Sequence, residues 1–297
     1  MTQLPADIHL EFAGPASAIA LEAGMLLRDF YHRGVATEYK SDVDLVTEAD
    51  RTSEKLIVER IHTAFPGFGI YGEEGTRDQI DREYRWYVDP LDGTTNFAHG
   101  FPVFCVSLGL EHRPSGLAAN EDGTLVAGVV YDPMRDELFV AEKDKGAYLN
   151  GKKIRVSRTD DLAESLLATG FPSRSRHLNP NIHFYHEITL RSHGLRRAGS
   201  AALDLAYTAC GRIDGYWEFN LNPWDTSAGA LLVLEAGGTM TTFDGSPFRL
   251  DSREVLATNG IIDEEVITLF QNMFAGHDME PIPTPKEFAA KRAERGR

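Results

Sequence analysis

Three short segments put carboxylates where no helix or strand requires them: Gly72-Glu73-Glu74-Gly75, Asp89-Pro90-Leu91-Asp92-Gly93-Thr94-Thr95 and Pro223-Trp224-Asp225. Each has a plain structural reading on its own. Asp-Pro and Asp-Gly form turns, adjacent glutamates are mostly solvated loop residues, and an aspartate after Pro223 suits a helix N-terminus. The middle segment offers more than a turn needs, since two turn signals fall close together and two hydroxyls follow. Gly93 lets the backbone approach a ligand closely, and the amides after it point at an anion if a helix begins there. Acids, then a glycine, then hydroxyls and amides would hold a metal-bound phosphate, because magnesium takes oxygen ligands and bridges carboxylates to phosphates. Brought together, the three segments would repel one another unless a cation neutralised them.

The elements that must position these acids are readable in outline. Apolar residues at helical spacing predict helices over 8–32, with Gly34 as the stop, and over 48–65, ended by Pro66-Gly67. Short apolar runs at 69–71, 86–88, 103–110, 125–131 and 137–141 read as strands, with turns at Asp132-Pro133 and Asn150-Gly151. Two of these runs lead straight into the acids, and strand ends are where layered α/β proteins assemble sites. From about residue 160 the pattern alternates: strand 166–169, helices 180–192 and 201–209, strand 215–218, helix 224–236, strand 239–243 and helix 263–274. This divides the chain into an N-terminal α+β half (1–155), a C-terminal α/β half (156–276) and a loosely held proline-containing tail (277–297).

The 297 residues are 42% hydrophobic and 25% charged, enough to bury a sizeable core. A formal charge of −15 makes direct nucleic-acid binding or adhesion to an anionic membrane unexpected. No apolar run approaches the ~20 residues that cross a bilayer. The first residues lack the basic and apolar regions of a secretory signal. Two cysteines, Cys105 and Cys210, fit buried packing in a reducing compartment, so the expectation is a cytoplasmic protein.

Taken in order, the motifs resemble the inositol monophosphatase family of magnesium-dependent, lithium-sensitive phosphatases. The carriers are Asp44-Leu45-Val46-Thr47-Glu48-Ala49-Asp50, Gly72-Glu73-Glu74, the run WYVDPLDGTTN at 86–96, Gly199-Ser200-Ala201 and WDTSAGALLVLEAGG at 224–238. The resemblance spans about residues 10 to 275, and Ser227 stands where many relatives have alanine. It implies a fold of class α/β (α+β), a layered αβαβα sandwich of the inositol monophosphatase / fructose-1,6-bisphosphatase type. It further implies two or three Mg²⁺ ions. Glu73, Asp89 and the Leu91 carbonyl would hold one; Asp89, Asp92 and Asp225 a second; a third, weaker ion would sit near Glu73. Asp50 and Thr94 would activate the attacking water. Gly93 and Thr94, with Thr95 beside them, would bind phosphate. Glu218 and the Gly199–Ala201 segment would meet the alcohol, on the side where Asp92 and Asp225 also line the cleft.

Among substrates, Thr95 after Asp92-Gly93-Thr94 favours the inositol group, since nucleotide phosphatases of this kind place a basic residue there. Glu218 is suited to accept hydrogen bonds from ring hydroxyls. The alternatives are a broader sugar-phosphate, fructose-1,6-bisphosphate or histidinol-phosphate phosphatase, or a member with an added transcription-associated role through a protein partner. The resemblance also implies a homodimer, with aromatics in Phe97–Phe104 as candidates for the contact.

Overall fold

Helix α1 (Ala13–Arg33) begins five residues later than its apolar pattern predicts. The reason lies far away in sequence: the Glu142 carboxylate accepts hydrogen bonds from the amides of Glu11, Phe12 and Ala13 at 3.0–3.1 Å, so a distant acid caps the helix. The helix ends at Gly34, in the left-handed half of backbone space. A short hairpin of β1 (Thr37–Ser41) and β2 (Asp44–Thr47) follows. Helix α2 (Glu48–Ala64) opens on a capping box in which Thr47 and Asp50 serve each other's backbone. The computed structural model describes residues 4–34, 37–41, 44–117, 121, 123–171, 179–277, 279–282 and 284–287. The end of the tail, from 288, lies outside the described residues.

Next come β3 (Gly69–Gly72), β4 (Arg77–Asp78), β5 (Tyr84–Asp92), the short helix α3 (Thr94–Ala98), β6 (Cys105–His112), β7 (Thr124–Asp132), β8 (Glu137–Glu142), β9 (Gly146–Leu149) and β10 (Lys152–Lys153). They form an eight-stranded sheet in the order β10-β9-β8-β7-β6-β5-β3-β4, antiparallel except for the parallel pair β3 and β5. Then follow β11 (Leu166–Thr169), α4 (Asn181–Arg191), β12 (Gly194–Arg196), α5 (Ala201–Ala209), β13 (Gly215–Phe219), α6 (Pro223–Glu235), β14 (Thr239–Thr241), β15 (Glu254–Thr258) and α7 (Asp263–Phe274). Their strands make a second, mixed sheet, β12-β11-β13-β15-β14.

Side-chain alternation sorts the layers. Trp86 and Val88 of β5, with Val106 and Leu108 of β6, pack against Ala20, Ala23, Leu27 and Ile57 of α1 and α2. On the other face Cys105 and Val130 meet α5 and α6, which also cover Tyr216, Val255 and Ala257 of the second sheet. The outer face of that sheet, Leu167, Trp217 and Leu256, is sealed by Phe184 of α4 and Phe270 of α7. The sequence of layers is helix, sheet, helix, sheet, helix, which is the expected αβαβα sandwich. Helix α6 is apolar nearly all round because it lies between two sheets.

Of the aromatics expected at a subunit contact, two lie inside the chain and one at its surface. Phe97 and Phe104 are buried and pack edge-on against each other and beside Tyr31. Phe101 alone of that group is open, at 52% exposure. Among the described residues, no helix is long and apolar enough to cross a membrane.

Candidate active site

Parallel pairing of β3 and β5 decides where the acids go. Gly72 stands opposite Val88 in register, so Glu73, just past the end of β3, comes beside Asp89, which β5 carries on its way to Asp92. The Glu73 amide donates to the Val88 carbonyl at 3.0 Å, which keeps the loop against β5. The rest of the loop hangs on Glu54, a buried residue of α2. Its carboxylate accepts from the amides of Glu74 and Thr76 at 2.8 and 3.1 Å and from the Thr76 hydroxyl at 2.6 Å. Ser53 donates to the Pro90 carbonyl at 3.0 Å and ties the same helix to the middle acid segment.

Asp89 is 1% exposed. Burial first, then the charges of Glu73, Asp92 and Asp225, push its carboxyl well above the usual range. Asp225 arrives from the opposite side, on the first turn of α6, where it accepts from the Asn222 amide at 2.7 Å as part of a capping box. Asp92 closes the group from the end of β5. One of its oxygens accepts from the Ser200 hydroxyl and the Ala202 amide, each at 2.7 Å, so the start of α5 is fastened to it. Burial raises the Asp92 carboxyl as well, against the pull of those donors. Among the described residues no three of these side chains close on one point as a finished metal cage. What they provide is an oxygen-only donor set around a deeply buried carboxylate, which fits a hard divalent cation such as Mg²⁺ and suits softer, thiolate- or imidazole-seeking metals poorly.

Beside the acids lies a second pair. The Thr94 hydroxyl is 3.1 Å from both an Asp50 oxygen and the Leu91 carbonyl, and can donate to either. The other Asp50 oxygen accepts from the Thr47 amide at 2.8 Å and from its hydroxyl. Burial raises the Asp50 carboxyl, and the Thr47 and Thr94 bonds partly oppose it. Gly93 has a φ of 99°, and a Cβ there would stand 2.8 Å from the Val103 carbonyl, so both conformation and space require glycine. It opens α3, on which Thr95 is exposed.

Gly199, Ser200 and Ala201 lead into α5 beside Asp92. The Asn96 side chain donates to the carbonyls of Ala198 at 2.9 Å and Val103 at 2.8 Å, locking the two loops together. Glu218 stands on the inner face of β13 with Tyr216, whose hydroxyl donates to it. Burial pushes the Glu218 carboxyl up to about 8; the Tyr216 bond lowers it, and the charges of Asp225 and Asp92 add to the rise. Asp204, 3% exposed on α5, is pushed well up by burial and then by Glu218 and Asp92, with Arg197 opposing.

Every site residue expected from the sequence falls in this one region, though Ser200 spends its hydroxyl on Asp92. Sequence reading passed over Ser53, Glu54, Asn96, Asp204 and Tyr216. Ser53 and Glu54 lie one turn along α2 from Asp50, and that spacing was a usable signal. The others sit in apolar or loop contexts and gain meaning only through partners distant in sequence.

A layered αβαβα scaffold with acids at its strand ends, a glycine-opened helix and a hydroxyl–carboxylate pair has the make-up of a metal-assisted phosphate-ester hydrolase. The comparisons carry this to a family. The model of the inositol monophosphatase family matches residues 10–274. The chain is 48% identical over 227 residues to an inositol-1-monophosphatase of Synechocystis sp., covering 75% of each chain. It is 40% identical to the Nus factor SuhB of Pseudomonas aeruginosa, covering 86% of this chain and 96% of that one. The solved inositol monophosphatase of Anabaena (Nostoc) sp. superimposes with a TM-score of 0.77 at 42% identity, over 88% of this chain and 95% of that one. The chain belongs to the inositol monophosphatase family, and with it to the phosphoric monoester hydrolases.

Proposed function

We propose that this chain hydrolyses inositol 1-phosphate to inositol and phosphate with Mg²⁺, using two or three ions. The observation that carries the reading is the buried Asp89 carboxylate facing Glu73, Asp92 and Asp225 beside the Asp50–Thr94 pair. Glu73, Asp89 and the Leu91 carbonyl would hold one ion, and Asp89, Asp92 and Asp225 another. Bound there, the cation supplies positive charge that polarises the phosphate and acidifies water.

The remaining work falls to this chain's own groups. The Thr94 hydroxyl can take a hydrogen bond from the attacking water while donating to Asp50, so the water is aimed and its proton has somewhere to go. The backbone at Gly93 and Thr94, with Thr95 at the opening, offers amides to the phosphate oxygens. Glu218 and the Gly199–Ala201 segment receive the alcohol. Names among the relatives support inositol phosphate ahead of other sugar phosphates. A Nus-factor name at 40% identity favours one further reading, an added interaction role alongside catalysis. The same proposal includes a cytoplasmic homodimer, which light scattering would show as twice the 32.9 kDa chain mass. It also treats residues 1–155 and 156–276 as two halves that meet at the site.

The test is phosphate release from inositol 1-phosphate, set beside fructose 1,6-bisphosphate, histidinol phosphate and a nucleotide 3′-phosphate. Activity should vanish on chelation, return with Mg²⁺, and be inhibited by millimolar lithium in competition with Mg²⁺. Full turnover in excess EDTA after thorough stripping would overturn the metal mechanism. A stable protein partner with no turnover at all would favour the interaction reading.

A further inference from the structure

Glu218 is held in a way that the sheet does not require. Its parallel neighbour β11 pairs Thr169 with Trp217, so the next position along the register sets Gly170 beside Glu218. A Cβ built on Gly170 would lie 1.8 Å from Oε2, 2.1 Å from Cδ and 2.3 Å from Oε1 of Glu218. The carboxylate therefore occupies the space of a missing side chain. Gly170 does not adopt a left-handed conformation, so its backbone gives no other reason for glycine. Nor can that backbone step aside freely. The Asn181 side chain, fully buried on α4, donates to the Gly170 carbonyl at 2.6 Å and to the Thr169 hydroxyl at 2.9 Å, and its own oxygen accepts from the Trp217 indole at 2.7 Å.

Tyr216 clamps the carboxylate from another side. It lies two residues earlier on the same face, is fully buried, and its hydroxyl donates to Glu218 Oε2. The last torsion of a glutamate is soft, with no sharp rotamer preference. A carboxylate meant to read a ligand must therefore be placed from outside, and this one is held at one oxygen by a phenol and given its room against the backbone by the absence of a side chain at Gly170.

We propose that Gly170 and Tyr216 are positioning residues that act through Glu218 to set the site's preference for polyol phosphates over esters of hydroxyl-free alcohols. With Oε2 committed to Tyr216, Oε1 keeps its lone pairs for a ring hydroxyl of the substrate alcohol. Losing the Tyr216 hydroxyl frees the torsion and a Cβ at Gly170 displaces the carboxylate; either weakens that bond, while the phosphate chemistry at Asp89 and Thr94 is left in place. This inference rests on the phosphatase reading of the same cleft.

The test compares Tyr216→Phe and Gly170→Ala with the wild type on inositol 1-phosphate and p-nitrophenyl phosphate at saturating Mg²⁺, each alone and in a Glu218→Ala background. Tyr216→Phe removes one hydroxyl and keeps the ring, so it carries the test even where Gly170→Ala does not fold. The expected result is a KM for inositol 1-phosphate raised about five- to tenfold, the scale of one neutral hydrogen bond. Both values of kcat, and KM for p-nitrophenyl phosphate, should stay within about twofold of wild type. In the Glu218→Ala background the substitutions should change the substrate preference no further. Equal losses on both substrates, an unchanged ratio in a folded Tyr216→Phe protein, or the same shift with Glu218 already removed would each overturn the inference while leaving the phosphatase reading intact. A wild-type protein without Mg²⁺-dependent turnover of either ester would overturn both.

Discussion

Asp92 shows how one side chain can serve the fold and the chemistry with different atoms. Its Oδ2 collects the Ser200 hydroxyl and the Ala202 amide. That bonding belongs to the architecture, since it fastens the start of α5 to the end of β5. The remaining oxygen is the one available to a cation. Asp92→Asn can keep its carbonyl oxygen on the two donors and turn its NH₂ toward the acid cluster, where it offers protons instead of a ligand. The expected outcome is a folded protein whose melting temperature stays within about 3 °C of wild type when both are stripped of metal. Its kcat should fall by at least about 100-fold. Steady-state kinetics decide the matter: a kcat within about threefold of wild type, roughly 0.7 kcal/mol of barrier, would reduce Asp92 to an anchor for α5.

Among the elements, α6 is the one whose seating the site depends on most, because its first turn brings Asp225 to the acids. Two glycines of the first sheet make room for it. A Cβ on Gly128 would stand 2.6 Å from the Ala228 carbonyl, and one on Gly109 would stand 2.2 Å from Ser227 Oγ. Gly128→Ala should therefore push the helix off the sheet and cost about 1–3 kcal/mol. Asp225 should move with it, raising the Mg²⁺ concentration needed for half-maximal activity. Denaturant melts and a Mg²⁺ titration measure the two effects, and an unchanged midpoint would show that the helix has slack. The presence of α6 was plain from its apolar run between Pro223 and Gly237-Gly238, and α2 and α5 were equally legible from periodicity and stop signals. Elsewhere the determinants are not local. The start of α1 is set by Glu142, more than a hundred residues away. Strand β15 pairs on both sides within its sheet and is buried on both faces, so it lacks the alternation that marks a half-exposed strand. The edge strands β4 and β10 and the five-residue α3 are too short to show a period. The acids of the site drew notice through their motifs although only Glu73 lies in a loop; Asp89 and Asp92 belong to the end of β5, and Asp225 caps the first turn of α6, so the loop positions expected for them were wrong. Tyr216 and Asp204 did not, because each lies inside an apolar run that reads as core.

For the whole molecule, the buried acids tie stability to pH and to metal. In the metal-free chain Asp50, Asp89, Asp92, Asp204 and Glu218 all hold their protons more tightly than they would when unfolded, with burial the leading cause for each. A carboxyl raised on folding binds more protons in the native state than in the unfolded one. Stability must therefore fall as pH rises through the interval between the two values, which for Glu218 runs from 4.5 to about 8. This is the reverse of a salt-bridged carboxylate, which loses its contribution on acidification. Metal-stripped protein should accordingly melt about 3 °C or more lower at pH 8 than at pH 6, at constant ionic strength. Mg²⁺ held at Asp89 and Asp92, as proposed, would displace the protons of those two carboxyls, so it should stabilise more at pH 8 than at pH 6 and lessen the slope. The net charge of −15 gives a competing explanation, general repulsion that any added cation would screen. Sodium matched to the ionic strength of the Mg²⁺ separates the two: screening would restore stability equally with either salt, whereas the acid cluster should respond to the divalent ion alone. Calorimetry at the two pH values, with and without Mg²⁺, reads all of this. A metal-free melting temperature that is flat or rises from pH 6 to pH 8 would mean that the carboxyls are not held protonated in the folded chain.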